Sequence, residues 1–563
     1  MRHSAAIWLA GASIVLVPAV GAGVRSAPAP HGQRQTPTAV PAEARAGMVS
    51  SAHPEATRAG ADILRAGGNA FDAAVAVAAA LSVVEPQNSG AGGYGTIVVY
   101  DAARGCARFL NPSGRIPFAV DSDAFRAPTP GFEQNRRGAK AVSTPGNVHA
   151  WEAMSKTYGR LEWRRLLEPA VRLAAEGFIL DEAGARAIAS AFDSFPEHAR
   201  AFYGRNGRPL GPGERLVQAD LAKSLRLLAE RGAPVLYGGA LGRAIDAAMR
   251  EAGGFLAMKD LVGDVAEWRD PIQVRYRDVD VVTASPPANA FDYLVRLGMM
   301  SLFDPKALGH NSVAYLHRFA EVTKHGFWVR LRYAGDPDVK PPPLALLFSK
   351  DYWQAEVSRI DLGKATPFAP PRQFSGDRHT THFVVADRWG NVVSATQTLG
   401  NTFGSRIMPA GTGIWLNNSL AYCTFEPKGN PMDAHAGRRK LSGDCPTIVM
   451  REGRPWVALG TPGGHTIGQT VPQIVMNMVD FGMNVAEAIA APRVSFVEPD
   501  ALAVEAGIAQ ETRQALAAMG HNIRVTSALG NAHGLVIEYD KSGRPVKFLG
   551  ASDPRGKGLA SGF

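Results

Sequence analysis

The sequence predicts an α+β fold in which helix layers flank packed β-sheets. Two observations carry this expectation. The stretch after His53 has helical spacing of apolar residues, whereas the segments after Thr380 and Thr447 change to short extended apolar runs bounded by turn residues. No repeat with a period of about 20 to 50 residues recurs, which excludes a solenoid or propeller. Helices and sheets of this kind bury their apolar faces only by stacking in layers.

The chain has 563 residues, 46% hydrophobic and 20% charged, which is enough for a large core and excludes disordered and fibrous classes. The net charge of +9 comes from 60 basic against 51 acidic residues. The basic residues are scattered. Clusters such as Arg136-Arg137 and Arg438-Arg439-Lys440 lack aromatic interleaving and read as solvated surface, so no nucleic-acid partner is expected. Three cysteines, Cys106, Cys423 and Cys445, exclude a disulfide framework and leave at least one thiol unpaired within the chain. A Cys423–Cys445 bridge and two separate buried thiols both stay open.

Met1-Arg2-His3, the apolar run Ala5 to Val20 and the small residues up to Gly23 have the three regions of a secretory signal, assigned to residues 1–23. The run is interrupted by Pro18 and falls short of the roughly 20 residues of a membrane span, so no stable anchor is expected. Residues 24–46 are rich in Pro and Ala and read as a tether. The expected location is periplasmic or secreted, with the folded part starting near Gly47.

From His53 the elements follow in order. Ala61, Ile63 and Leu64 mark a helix stopped by Gly67-Gly68, and an Ala-rich helix, apolar all round and therefore buried, begins near Asp72. Gly90 to Gly95 spells G-x-G-x-x-G, but a helix precedes it and the extended run Thr96 to Tyr100 follows. That order is the reverse of a dinucleotide site, so a turn with close backbone approach is expected instead. Leu161 to Gly177 and Leu221 to Glu251 read as helical, and Val274 to Thr283 alternates like a strand. Thr381 to Ala386 and Val392 to Leu399 read as a hairpin closed by Asp387-Arg388-Trp389-Gly390-Asn391. Strands fit Thr447 to Arg451 and Trp456 to Gly460. Thr461-Pro462-Gly463-Gly464 then turns into an apolar helix around Pro472 to Asp480, and Asn484 caps a short helix ending at Pro492.

Thr380 poses the chemical question. A threonine hydroxyl is a weak nucleophile unless a base lies beside it, and its own α-amine serves if the chain is cut before it. His379-Thr380 is therefore either a processing site or simply the start of a strand.

The stretches GGNAFDAAVA, VVEPQNSGAGG, STPGNVHAWEAMSKTYG, TTHF, GTPGG, DFGMNVAEAIAAPR and GASDPR, taken in order over nearly the whole chain after the tether, resemble the γ-glutamyltransferase (γ-glutamyltranspeptidase) family of N-terminal-nucleophile hydrolases. The resemblance implies a four-layer αββα sandwich made as one precursor that cuts itself into a large subunit, residues 47–379, and a small one, residues 380–563. It implies that Thr380 is the nucleophile and that cleavage falls between His379 and Thr380. Thr398 matches the family's second threonine, which hydrogen-bonds the nucleophile, with Thr381 and Thr396 as further candidates for that network. Gly463 and Gly464 match its oxyanion hole, where two side-chain-free amides face developing negative charge.

The glutamyl pocket departs from the family pattern. The Arg that holds the α-carboxylate in D-[YF]-R-E-x-A-P falls at Ser113, with Arg115 two residues later. The family's Asn after the second threonine falls at Gly400, with Asn401 displaced by one. The acidic residue that binds the α-amine falls at Tyr422 and the intervening Gln at Ser419. Of the paired serines Ser442 remains, and Gly443 replaces the other. A lost charge-assisted bond costs roughly 1.5–3 kcal/mol. Substrate contacts are thus expected from Ser442, Arg115, Asn401 and Tyr422.

No G-x-S-x-G elbow and no H-E-x-x-H occurs. His379 and His382 lie three apart on a strand and point to opposite faces, so neither a metal nor another cofactor is expected. The leading expectation is an exported enzyme of this family, with γ-glutamyl transfer and glutathione hydrolysis as the family activity. It cleaves a small-molecule amide through a threonyl acyl-enzyme and passes the acyl group to water or an amine. A non-glutamyl acylase of the same family is the second expectation, and an inactive binding protein with the same fold is the third.

Overall fold

The computed structural model describes residues 39–368 and 379–563. The expected signal, much of the tether and the stretch just before His379 lie outside the described residues. The main strands are β1 (Ala42–Ala44), β2 (Gly47–Ser51), β3 (Tyr94–Asp101), β4 (Cys106–Asn111), β5 (Glu267–Arg269), β6 (Ile272–Tyr276), β7 (Val279–Thr283), β8 (His379–Asp387) and β9 (Val392–Gly400). They continue with β10 (Thr447–Arg451), β11 (Arg454–Gly460), β12 (His533–Tyr539), β13 (Pro545–Ser552) and β14 (Leu559–Gly562). The helices that matter here are α1 (Pro54–Arg65), α2 (Ala70–Val84), α3 (Asn147–Tyr158), α4 (Trp163–Glu176), α5 (Phe291–Met300), α6 (Val313–Tyr333) and α7 (Ile467–Val479).

One seven-stranded sheet runs β14-β2-β8-β9-β3-β4-β5 and the other β1-β13-β12-β11-β10-β7-β6. Successive side chains on a strand point to opposite faces, and here both faces are covered. Met48, Val98, Val384 and Val392 of the first sheet meet Val282, Ile448, Leu535 and Phe548 of the second. Their neighbours Val49, Val99, Val385 and Val393 pack with residues of α1, α2, α3 and α4. Val281, Val449 and Val457 pack with α5, α6 and α7 on the far side. The result is a four-layer αββα sandwich, as the resemblance implies. Burial on two faces explains why these strands read as continuous apolar runs.

Local chemistry sets the elements that frame the site. Asn69 and Asp72 close a capping box at the start of α2. Asp387 takes the Ala70 amide at 2.8 Å and the Asn391 and Trp389 amides in the β8–β9 turn, so one carboxylate fixes the hairpin and the helix together. The glycines after α2 act by close approach, as expected. A Cβ on Gly93 would lie 2.4 Å from the Thr398 carbonyl oxygen, and one on Gly92 would lie 2.2 Å from that of Trp415.

Two expectations need correction. The tether ends before Ala46, because Ala42–Ala44 already pairs with Phe548 to Gly550. Val274 to Thr283 is a hairpin rather than one strand, with Tyr276 opposite Val279. Arg277 turns the chain at φ 54° without the usual Gly or Asn. Its guanidinium is held by Asp480 at 3.0 Å and by the carbonyls of Ser301 and Phe303 at 2.7 Å each, which no local signal announces. All three cysteines are free thiols, Cys423 and Cys445 both buried. Among the described residues no helix is long and apolar enough to cross a membrane.

Candidate active site

Thr380 is the second residue of β8, on the face turned toward the other sheet, and stands opposite Thr398 of β9. The register slips here: His379 pairs with Gly400 and Thr380 with Thr398, leaving Leu399 as the extra residue. Such a bulge twists the strand and re-aims its side chains. The Thr398 hydroxyl donates to the His379 carbonyl oxygen at 2.6 Å. It accepts from the Thr380 hydroxyl at 3.2 Å and from the Gly400 amide at 2.8 Å. One proton and two lone pairs are all a hydroxyl has, so Thr398 is fully engaged between the Thr380 side chain and the carbonyl that precedes Thr380.

Thr381 falls on the opposite, helix-facing side of β8, and Thr396 is bonded to His382 Nδ1 at 2.8 Å. Among the described residues no side-chain hydrogen bond ties either to Thr380. His379 Nδ1 meets Asn88 Oδ1 at 3.0 Å, and Asn88 Nδ2 donates to Glu85 Oε1 at 3.0 Å. Burial pushes the Glu85 carboxyl up to about 7. This run of polar groups beside the His379–Thr380 peptide came without a sequence signal beyond its place in VVEPQNSG.

Gly463 and Gly464 lie between β11 and α7, with φ of 138° and 58°. L side chains rarely adopt such angles, and a Cβ on Gly463 would come within 2.5 Å of Thr466 Oγ1. Among the described residues neither amide donates to a backbone carbonyl. Gly464 lines the same cleft as Thr380 and Thr398. That cleft opens to solvent and is completed by Tyr94, Tyr422, Lys440 and Ser442 to Asp444.

The expected substrate contacts divide. Ser442 lines the cleft, donates to Asp444 Oδ2 at 2.8 Å and accepts from Thr96 at 3.1 Å. Tyr422 also lines it and donates to Asn401 Oδ1, so Asn401 touches the cleft wall from behind and borders a separate pocket instead. Arg115 is not among the lining residues. Its guanidinium pairs with Glu267 at 2.6 Å and donates to the Gly437 carbonyl at 3.0 Å. Ser113, at the family Arg position, is buried and donates to Asn111 Oδ1 at 2.7 Å. Ser419 donates to Ser143 Oγ at 2.6 Å.

The reading of Arg438-Arg439-Lys440 as solvated surface fails for two of its three residues. Arg439 and Lys440 are buried. Arg439 pairs with Asp264 and Glu267, each at 2.8 Å, whereas Lys440 reaches into the cleft. Burial lowers the Lys440 ammonium to about 8 and raises the Asp444 carboxyl. Lys440, Asp444 and Tyr94 are thus cleft residues that the sequence reading missed.

His317, Glu321 and His521 are the described residues spaced closely enough to hold a metal ion. Their polar atoms are engaged with protein: His317 Nδ1 with His521 Nε2 at 2.9 Å, and Glu321 with Lys324 at 2.6 Å.

Two sheets between helix layers, with the paired threonines at the start of an inner strand, define an N-terminal-nucleophile hydrolase fold. The chain belongs to the gamma-glutamyltranspeptidase family, whose model matches residues 56–563. It is 35% identical over 536 residues to the glutathione hydrolase proenzyme of Escherichia coli (strain K12), covering 92% of this chain and 91% of that protein. It is equally 35% identical over 516 residues to the acylase ACY 1 proenzyme of Pseudomonas sp. (strain SE83), covering 89% and 91%. The crystal structure of cephalosporin acylase from Bacillus halodurans matches with a TM-score of 0.85 at 29% identity, over 95% of this chain and 99% of that one. The chain is accordingly an enzyme of hydrolase or transferase type, which sets aside the inactive binding protein.

Proposed function

We propose that this chain is a self-processing amide hydrolase and acyltransferase in which Thr380 makes both the cut and the later attacks on substrate. The observation that carries this reading is the hydroxyl chain from Thr380 through Thr398 to the His379 carbonyl. In the precursor, Thr380 Oγ1 adds to the His379 carbonyl carbon while the Thr398 proton supports charge growing on the oxygen. The C–N bond then breaks as the proton released by the Thr380 hydroxyl passes to the departing nitrogen, and an ester replaces the amide. Water hydrolyses the ester, leaving a carboxylate on His379 and an amine on Thr380. That amine takes the proton of its own hydroxyl in each later attack.

During turnover the substrate carbonyl lies against Gly463 and Gly464, whose amides receive the oxyanion. Collapse releases the leaving amine and leaves the acyl group on Thr380 Oγ1, from which water or a second amine removes it. The products of processing are a large subunit ending at His379 and a small one starting at Thr380. Residues 1–23 act as an export signal and place the enzyme in the periplasm or outside the cell.

Glutathione hydrolysis and γ-glutamyl transfer are the activities that the family name and the Escherichia coli relative suggest. A non-glutamyl acylase is favoured by one observation: Ser113 replaces the carboxylate-binding Arg, and Arg115 is taken by Glu267. The reading is tested by expressing wild type and Thr380→Ala and resolving both on a denaturing gel. Two bands from wild type and one from the variant are expected. A wild-type chain that stays whole while it hydrolyses acyl anilides overturns the mechanism.

A further inference from the structure

The cleft holds a buried cation with almost nothing to bind. Lys440 is 3% exposed, and its ammonium makes one long hydrogen bond, 3.4 Å to Tyr94 Oη. It lies 4.5 Å from the Tyr94 ring centre and 5.3 Å from that of Tyr422, both cleft walls. An ammonium has three donors, and none of the ion pairs among the described residues includes this one. Asp444, the nearby carboxylate of the cleft, favours the charged form of Lys440 but forms no ion pair with it, and its Oδ2 accepts from Ser442 at 2.8 Å. A buried charge is retained when a partner completes it, and Lys440 faces the space where an acyl group bound to Thr380 must lie.

We infer that Lys440 is a specificity-determining residue that anchors a carboxylate at the far end of the acyl group. The cleft therefore selects acyl amides whose acyl part carries a carboxylate. The inference rests on the reading of Thr380 as the acyl-accepting nucleophile. It gives the anionic contact to a different residue from Ser113 and Arg115, neither of which lines the cleft. The two rings hold the cation in place through their faces while leaving its remaining N–H bonds to the ligand. Burial lowers the amine to about 8, so the charged form predominates at neutral pH.

The test compares glutaryl p-nitroanilide with its uncharged 4-carbamoylbutyryl counterpart on wild type, Lys440→Met and Lys440→Arg, each first checked for processing on a gel. Wild type is expected to favour the carboxylate by about 10- to 100-fold in kcat/KM, the range of one charge-assisted bond. Lys440→Met should lose that preference through KM with little change in kcat, and Lys440→Arg should recover part of it. A proton-carrying role for Lys440 would instead lower kcat on both substrates alike and overturn the inference, as would a preference that survives in Lys440→Met. Calorimetry with free glutarate separates the two readings. Binding to wild type and not to Lys440→Met, with neither anilide cleaved, supports the anion site and refutes anilide cleavage. Equal binding to both proteins refutes the anion site, whatever is cleaved.

Discussion

Thr398 is the residue on which the proposed chemistry turns, because its single proton already lies on the His379 carbonyl oxygen. Removing it in Thr398→Ala should slow processing by about 10²- to 10³-fold, the usual effect of losing one oxyanion donor. Thr398→Ser should retain most of the rate, and a gel time course of freshly made precursor measures both. At this scale Thr380 was legible because it opens TTHF, one of several short motifs that follow one another in order, and Thr398 and Ser442 were reached only through the resemblance. Lys440 was not. A run of three basic residues reads as surface unless its partners are known, and those of Arg439 are Asp264 and Glu267, far away in the chain. The backbone is pinned there as well, by Asp336 taking the Arg439 amide at 2.8 Å.

Among the elements, the turn from β11 into α7 places a strict local demand on sequence. Gly463 at φ 138° has no room for a Cβ beside Thr466. Gly463→Ala is expected to lower kcat while leaving KM nearly unchanged, since the displaced amides are the ones proposed to receive the oxyanion rather than to serve ground-state binding. Steady-state kinetics on the processed enzyme measures this, and strain of order 1–3 kcal/mol should show as a lower melting temperature. Helical periodicity located α4, which buries one face, and continuous apolar runs located α2, β8 and β9, which are buried on all sides. It failed for Arg277, where tertiary contacts override turn chemistry, and for β1, whose three residues gain a partner only from β13, about 500 positions later. The bulge between His379 and Thr380 also lay beyond sequence reading, since register depends on two strands at once.

At the scale of the molecule, the proposed cut would divide sheets whose strands interleave. β8, which would fall in the small subunit from Thr380 on, lies between β2, in the proposed large subunit, and β9, and β9 in turn pairs with β3 of the proposed large one. The fragments should therefore elute together on native gel filtration and separate only in denaturant. Two motifs far apart in sequence find their reason here too. Arg493 of AAPR and Asp553 of GASDPR form a fully buried pair at 2.5 Å. Asp553→Ala strands the guanidinium and should cost about 3–5 kcal/mol, read from the urea midpoint.

Acid should act through the buried histidines. Burial holds His533 down at about 4 and lowers His382 as well. The unfolded chain takes up the His533 proton near pH 6.5, the native chain only near 4, so between those values the unfolded state binds more protons. Stability should fall as pH drops through that window, by about 3 kcal/mol for His533 alone, in melting curves at stepped pH.

The central claim is that the Thr380 hydroxyl cuts the chain in front of itself. N-terminal sequencing and intact mass of the small fragment test it most directly. The account predicts a fragment that begins Thr-Thr-His-Phe, absent from Thr380→Ala and formed by the purified precursor with no protease added. An uncut wild-type chain, or a fragment beginning at any other residue, would contradict it.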